Sequence, residues 1–274
     1  MLVLRYQLET KVPVDVDELL PEKLDGLSHA EIGKLLVWHG NQQIPVAEAF
    51  CISGESGDAA NGVLRFEGDL AGVHRIGAGM TAGEIRVAGS AGRHVGSQMR
   101  GGAIHIEGSA GDWLGEQMRG GLIQVRGNAG GQVGAAVRGS RRGMTGGTIL
   151  IDGNAGDELG LAMRRGLIAV SGDAGDGLGF NMIAGTILVF GNAGERVGAG
   201  MRRGTIGLFG SSPPVLLPTF TRACQYRPQF LGLYFRELAR HGFSVPARLL
   251  DSAFKRFQGD HLELGKGEIL VASA

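Results

Sequence analysis

Residues Ala103-Ile-His-Ile-Glu-Gly-Ser-Ala-Gly-Asp-Trp-Leu-Gly-Glu-Gln-Met-Arg-Gly-Gly121 form one copy of a 19-residue unit that returns across the middle of this 274-residue chain. Each clear copy has aliphatic residues at its second and fourth places, alanine at the eighth, and glycine at the sixth, ninth, thirteenth and nineteenth. The sixteenth place is methionine in every clear copy except one, which has Val137. The clear copies begin at Glu84, Ala103, Leu122, Thr148, Leu167 and Thr186. A fixed period of this length indicates a protein built from stacked repeats.

The alternation at the start of each repeat predicts a short strand with one face turned inward. Nineteen residues are too few for a repeat that contains helices, and the 50 glycines suggest tight corners between strands. We therefore predict a mainly β protein, a right-handed parallel β-helix of glycine-rich coils, because parallel crossovers are almost always right-handed. A first, distorted copy occupies 63–83, with Leu64, Phe66, Ile76 and Met80 at its interior places.

The flanks predict caps, which divide the chain into an N-terminal strand-and-helix cap at 1–62, the β-helix at 63–210 and a C-terminal helical cap at 211–274. Ser28-His-Ala-Glu31 is a capping box and predicts a helix that carries Ile32, Leu35 and Leu36 and stops at Gly40. The small, polar stretch 54–62 leads into the first repeat. Amphipathic patterns predict helices at about 228–241 and 246–258, followed by a strand at 268–271.

Composition excludes several classes of function. The 27 basic and 27 acidic side chains balance, so no overall charge draws the chain to nucleic acid or to a membrane. No apolar run approaches the length of a membrane span, and no signal peptide is visible. Cys51 and Cys224 are the two cysteines, too few for a metal motif or a disulfide framework, which favours a cytoplasmic location.

Two features carry candidate contact residues. The copy that begins at Leu122 contains seven extra residues, so Arg138-Gly-Ser-Arg-Arg-Gly-Met-Thr-Gly146 is expected to leave the stack as a loop, with Arg138, Arg141 and Arg142 placed to bind an anion or an acidic partner. The seventeenth place is rich in arginine, and stacked cations need counter-charge. The sequence leaves open whether the acidic tenth-place residues lie within reach of this row. The row comprises Arg100, Arg119, Arg138, Arg164 and Arg202.

We find no catalytic candidate and predict no metal site in this chain. Its seven histidines are scattered, and none lies in a pair with the spacing of metal ligands. The Gly-x-Gly strings are products of the repeat and do not open a dinucleotide-binding unit. The serines are repeat or turn residues without an evident base beside them.

The repeats resemble the C-terminal β-helix of glutamate synthase and, over nearly the whole chain, the C subunit of formylmethanofuran dehydrogenase and of its bacterial counterpart, the formyltransferase/hydrolase complex. The flanks carry the second resemblance: Ala49-Phe-Cys-Ile-Ser-Gly54, Phe254-Lys-Arg-Phe-Gln-Gly-Asp260 and Gly265-Lys-Gly-Glu-Ile-Leu270. Leu217-Pro-Thr-Phe-Thr-Arg-Ala-Cys224 is similar to the bacterial version.

This resemblance implies a non-catalytic assembly subunit in a complex of four subunits. The complex transfers a formyl group from formyl-tetrahydromethanopterin to methanofuran and hydrolyses formylmethanofuran to formate during formaldehyde oxidation. Its implied partners are an amidohydrolase-like subunit that holds metal, a formyltransferase subunit and a third subunit, and this chain alone binds no cofactor. Two alternatives remain open, the C subunit of a tungsten or molybdenum formylmethanofuran dehydrogenase and a glutamate-synthase-like module. An independent carbohydrate-acting β-helix enzyme is disfavoured because the chain has only two tryptophans, far apart in the sequence.

Overall fold

The computed structural model describes residues 1–55 and 62–272 and is mainly β. Residues 56–61 of the predicted polar segment 54–62 lie outside this description. The strands are β1 (Leu2–Tyr6), β2 (Val14–Asp15), β3 (Leu36–His39), β4 (Gln42–Pro45), β5 (Phe50–Gly54), β6 (Val63–Glu67), β7 (Val73–His74), β8 (Glu84–Ala88), β9 (Ala103–Ile106), β10 (Leu122–Val125), β11 (Thr148–Ile151), β12 (Leu167–Val170), β13 (Thr186–Val189), β14 (Arg203–Leu208), β15 (Thr221–Tyr226), β16 (Phe254–Gly259) and β17 (Lys266–Ala272). The helices are α1 (Pro21–Leu24), α2 (His29–Lys34), α3 (Val46–Ala49), α4 (Leu231–Arg240) and a 3₁₀ turn at Ala247–Leu249.

The repeat strands lie side by side in one large, mostly parallel sheet. Strands β8 to β14 are neighbours in chain order, and each residue pairs with the residue at the same place in the next repeat, as Ile104 does with Ile123. The second and fourth places are buried in every repeat, as the pattern predicts. In β11 to β13 the third place, on the opposite face of the sheet, is buried as well. The first copy follows the same rule, since Leu64, Phe66, Ile76 and Met80 are all buried.

A second parallel ladder runs through the eighth place of every repeat. Leu70 of the first copy bridges to Ala91, and alanine then bridges to alanine as far as Ala193. Glycine is required in this arrangement for two separate reasons. Gly115, at the thirteenth place, has φ +61° and turns the chain. Gly111, at the ninth, lies so close to the previous repeat that a Cβ there would sit 2.9 Å from the Gly92 carbonyl oxygen. Glycine therefore sets both the corners and the close spacing of the repeats.

The N-terminal segment closes one end of the sheet. Strand β1 pairs in parallel with β6 and antiparallel with β5, which is the last strand on that side. The capping box is present, with the Ser28 side chain accepting from the Glu31 N–H. The predicted extent of the helix is wrong, however, because α2 ends at Lys34 and Leu36 is an exposed residue of β3. Residues 36–39 pair with β4 across a turn at Gly40, so that glycine closes a hairpin instead of stopping a helix.

The C-terminal segment closes the other end and covers one side. Strand β17 pairs in parallel with β14, and β16 and β15 follow antiparallel. Helix α4 lies within the predicted 228–241 and forms a second apolar cluster with the outward faces of β11 to β13. The predicted helix at 246–258 is wrong: it contains only the 3₁₀ turn and most of β16. Phe254 is buried there against Phe209, and sheet pairing outweighs the helical pattern. Among the described residues, no helix is long and apolar enough to cross a membrane.

Candidate anion- or partner-binding groove

An open groove of about 740 Å³ lies beside the inserted loop. Residues at the eleventh, fourteenth, fifteenth and seventeenth places of the repeats form its floor, and the loop itself forms its wall. Five of the seven arginines predicted as contacts line this groove, which we call the arginine groove: Arg138, Arg141, Arg142, Arg164 and Arg202. The other two, Arg100 and Arg119, are exposed and lie outside its lining. The structure thus brings together two sets of residues that the sequence treats as separate features.

The insertion starts and ends at different residues from those predicted. Met144 is fully buried, and its carbonyl oxygen accepts from Arg164 N, as that of Met99 accepts from Arg119 N. Met144 therefore takes the sixteenth place, Thr145 takes the seventeenth, and the inserted residues are 137–143. The assignment of Val137 and Arg138 to the repeat is wrong because a buried methionine fills the interior better than a half-buried valine. We call residues 137–143 the arginine loop.

Hydrogen bonds hold the arginine loop against the preceding repeat. Gln117 Nε2 donates to Ser140 Oγ at 2.8 Å and to the Arg142 carbonyl oxygen at 3.2 Å. The Arg142 N–H donates to Ser140 Oγ at 3.2 Å, which closes a small turn. Gly143 brings the chain back to the stack, where its N–H donates to the Ala162 carbonyl oxygen at 2.9 Å. The loop therefore has a defined position above the groove floor.

The arginine groove carries positive charge with little compensation. No aspartate or glutamate is present among the described residues that line it. Arg202 Nε donates to Glu263 Oε2 at 3.1 Å at one end of the groove. Within the described part of the chain, Arg138, Arg141, Arg142 and Arg164 form no ion pair. An arginine fork binds a carboxylate or phosphate through two parallel hydrogen bonds, so this surface is suited to an anionic ligand or partner.

The acidic tenth-place residues belong to a different surface, which answers the question that the sequence leaves open. Asp157 Oδ1 accepts from Asp176 N at 2.8 Å, and Asp176 Oδ1 accepts from Glu195 N at 2.9 Å. The arginine that pairs with Asp176 is Arg196, at 3.4 Å, and none of the seventeenth-place arginines reaches this row among the described residues. These carboxylates serve as a hydrogen-bonded ladder between repeats. The seventh place forms a similar ladder, as in the bond from Asn154 N to Asn128 Oδ1 at 2.8 Å.

A buried polar cluster beside the groove is absent from the sequence prediction. Glu116 is 4% exposed and accepts from His94 Nδ1 at 3.0 Å and from Ser97 Oγ at 2.7 Å. Burial raises the pKa of Glu116, but the hydrogen bonds from His94 and Ser97 outweigh burial and leave that pKa below its ordinary value. The His94 ring stacks on Trp113, which lines the groove, at 5.9 Å between ring centroids. The sequence signal for this cluster is weak, namely a glutamate at a place that is small or apolar in the other repeats.

Similarity to known proteins first identifies the chain as one of the proteins with a GXGXG repeat motif, and then identifies its family. The GXGXG motif model matches residues 84–214, which are the regular repeats and the start of the C-terminal segment. A chain in the crystal structure of the formyltransferase/hydrolase complex (FhcABCD) from Methylorubrum extorquens, in complex with methylofuran, is 37% identical. That similarity covers 99% of this chain and 100% of the other, with a TM-score of 0.90.

Two curated relatives are C subunits of formylmethanofuran dehydrogenases. That of the molybdenum-containing enzyme 1 of Methanosarcina barkeri is 42% identical over 85 residues, which is 31% of this chain and 28% of the relative. That of the tungsten-containing enzyme 2 of Methanothermobacter thermautotrophicus is 37% identical over 95 residues, 34% of this chain and 35% of the relative. The matched segments thus span about a third of the length of these relatives. The chain belongs to the family of formylmethanofuran dehydrogenase C subunits, which includes the corresponding chain of the formyltransferase/hydrolase complex.

Proposed function

We propose that this chain is a non-catalytic assembly subunit of a formyltransferase/hydrolase complex. In this proposal the complex transfers formyl from formyl-tetrahydromethanopterin to methanofuran and hydrolyses formylmethanofuran to formate, as a step of formaldehyde oxidation. The observation that carries the proposal is similarity to a chain of the Methylorubrum extorquens complex over 99% of the length. Both end segments are included in this similarity, so it extends well beyond the glycine repeats.

The stacked repeats are proposed to wind as a right-handed parallel β-helix between an N-terminal cap at 1–62 and a C-terminal cap at 211–274. Two parallel ladders at different places of the same repeat support this winding, one through the strands and one through the eighth-place alanines. A third set of backbone hydrogen bonds, such as Gly115 N to the Val95 carbonyl oxygen at 2.8 Å, supports it as well. Such a rod is stiff, which suits a subunit that positions others.

Catalysis is assigned in this proposal to the other subunits. The proposed partners are an amidohydrolase-like subunit that holds the metal, a formyltransferase subunit and a third subunit, and the complex uses methanofuran and tetrahydromethanopterin. The chemistry of the arginine groove supports this division. Arginine remains protonated at neutral pH and is a poor proton acceptor, whereas it binds anions well. The five groove arginines are therefore proposed to contact an acidic partner surface or the acidic tail of methanofuran, and Arg100 and Arg119 to contact a partner outside the groove.

A second candidate is the C subunit of a tungsten or molybdenum formylmethanofuran dehydrogenase. The names of the curated relatives favour it, because they belong to such enzymes. The two candidates differ in the partner subunits, since the dehydrogenase requires a redox subunit with a metal-bound pterin.

The test is the composition of the native complex. The full chain, carrying an affinity tag, is purified from its own host and analysed by native mass spectrometry and peptide identification. We expect an amidohydrolase-like subunit and a formyltransferase subunit in fixed stoichiometry. A molybdopterin-containing redox subunit in their place would support the dehydrogenase. A stable chain without any companion would contradict both candidates.

A further inference from the structure

The loop at 260–265 holds two leucines in solvent. Leu262 is 81% exposed and Leu264 is 53% exposed, which places them among the most exposed large apolar residues that the structure describes. Single exposed leucines are common on protein surfaces and need no explanation. Two leucines on one short loop between β16 and β17 are less usual. We call residues 260–265 the leucine loop.

The leucine loop is held firmly in place. Asp260 is 3% exposed, and its carboxylate accepts from Leu262 N at 2.9 Å and from Gly200 N at 3.0 Å. The Asp260 carbonyl oxygen accepts from Gly265 N at 3.0 Å, and the His261 N–H donates to the Thr219 carbonyl oxygen at 3.1 Å. Because the backbone is already ordered, binding through these leucines loses little conformational entropy.

The leucine loop adjoins the arginine groove. Gly200 and Arg202 line the groove, and both bond to the loop, Gly200 to Asp260 and Arg202 to Glu263. The exposed leucines therefore stand at one end of a concave surface with five arginines and no lining carboxylate among the described residues. A rigid apolar anchor beside concentrated charge of one sign is typical of a protein interface.

We propose that the arginine groove and the leucine loop form one docking surface for a partner subunit whose face carries carboxylates beside an apolar pocket. Leu262 enters the pocket, and the arginines bind the carboxylates. Charge complementarity favours such a partner over a second copy of this chain. Two copies would bring two positively charged grooves together, and these would repel each other. The inference rests on the proposed function, because it assumes that partner subunits are present.

The experiment measures binding of the full chain to the other three subunits of the complex, produced together and purified without it. Leu262→Ser and Arg141→Glu are compared with matched controls at exposed sites away from the surface. Leu233→Ser is the control for the leucine, since Leu233 is 62% exposed on α4, and Lys11→Glu is the control for the charge reversal. Thermal unfolding of each variant is measured first and is expected to match that of the wild-type chain.

We expect each test variant to weaken binding about five- to tenfold and each control to remain within about twofold of wild type. The salt dependence of the dissociation constant is expected to be shallower for Arg141→Glu, because fewer charge contacts remain to be screened. If wild type binds and the test variants behave like their controls, the docking surface is wrong and the assembly role stands. Failure of wild type to bind would contradict the proposed function itself. Normal assembly of Arg141→Glu with loss of methanofuran from the complex would assign the groove to the coenzyme and overturn the inference.

Discussion

Gly120 shows how closely the backbones of successive repeats approach. A Cβ at this position would lie 2.4 Å from the Arg100 carbonyl oxygen in the preceding repeat. Gly120→Ala is therefore expected to push two repeats apart and to lower the free energy of unfolding by about 1–3 kcal/mol, the usual cost of overpacking. Urea unfolding measures the loss. Gly72→Ala is the matched control, since a Cβ at Gly72 meets nothing within 4 Å. An equal effect of both substitutions would contradict the explanation by contact.

Glu116 stabilises its repeat as an ionised carboxylate. Because its pKa lies below the ordinary value in the folded state, the stabilisation is full above the unfolded pKa and is lost as the pH falls through the folded pKa. Glu116→Gln is expected to lower the free energy of unfolding by about 1–3 kcal/mol at pH 7. The carboxylate accepts from His94 at one oxygen and from Ser97 at the other, whereas the amide has only one accepting oxygen.

Urea unfolding at pH 7 and pH 3 tests this prediction. The difference in the free energy of unfolding between wild type and Glu116→Gln is expected to be smaller at pH 3. At that pH the carboxylate of the unfolded chain is protonated, so the stability that comes from the lowered pKa declines. Glu195→Gln serves as the control, because Glu195 is exposed and its side chain forms no ion pair within the described ranges. If the difference in the free energy of unfolding stays the same at both pH values, the substitution acts through the shape of the side chain and not through its ionisation.

The sequence predicts the interior residues correctly and misses this polar cluster. Ile104 and Met118 recur at the same places in most repeats, so their burial follows from the period alone. Glu116 occurs once at its place, and its partners His94 and Ser97 belong to the preceding repeat. Which places face each other across neighbouring repeats depends on how each corner turns, and the period carries no information on that geometry.

At the scale of the element, the arginine loop is the main departure from the regular repeat. Deletion of 137–143 leaves Met144 at the sixteenth place and restores 19 residues. Deletion of 138–144 also restores the length but leaves Val137 at that place. We expect the first variant to unfold near the wild-type midpoint. The second is expected to be less stable by about 1–3 kcal/mol, since valine leaves part of the methionine space empty.

Thermal or urea unfolding of the two deletions measures this difference, and each variant is the control for the other. Similar stability of the two would contradict the assignment of Met144 to the core. The variant without 137–143 also allows binding of the other subunits to be measured on an intact stack.

The secondary-structure predictions are wrong where the local sequence pattern favours a helix but the segment pairs with a strand elsewhere in the fold. The capping box at Ser28 predicts the start of α2 correctly, because capping depends on residues three apart. The residues 254–259 have apolar positions compatible with a helix, yet they pair along their whole length with β17. Strand β17 follows after a short loop, but it is held in turn by parallel pairing with β14, more than 50 residues earlier in the chain. A helical pattern within 246–258 carries no information on that distant pairing.

At the scale of the whole molecule, the two end segments cover the strand edges at the two ends of the stack of parallel repeat strands. The last repeat strand, β14, has an edge that would pair with other chains if it were uncovered. Strand β17 pairs with β14 over six residues, from Arg203↔Lys266 to Leu208↔Val271. Helix α4 also covers Leu150 and Leu188, which are fully buried on the outward face of the sheet. The C-terminal segment thus protects an edge and an apolar face at once.

Removal of 211–274 is therefore expected to cause aggregation of a chain whose repeats are otherwise unchanged. The truncation exposes the hydrogen-bonding groups of β14 and an apolar patch that includes Leu150 and Leu188, and such patches promote association. Size-exclusion chromatography measures the outcome. The control keeps all residues but carries a protease site after Pro214, in the exposed connection that follows the last repeat.

After cleavage at that site, we expect the two fragments to elute together at the size of the intact chain. Pairing of β14 with β17 and the cluster around α4 hold them, and neither depends on the covalent link. If the truncated chain elutes as a monomer, the edge is protected by some feature of the repeats themselves. If the cleaved fragments separate, the C-terminal segment is held mainly by the chain connection, and its role as a structural cap is contradicted.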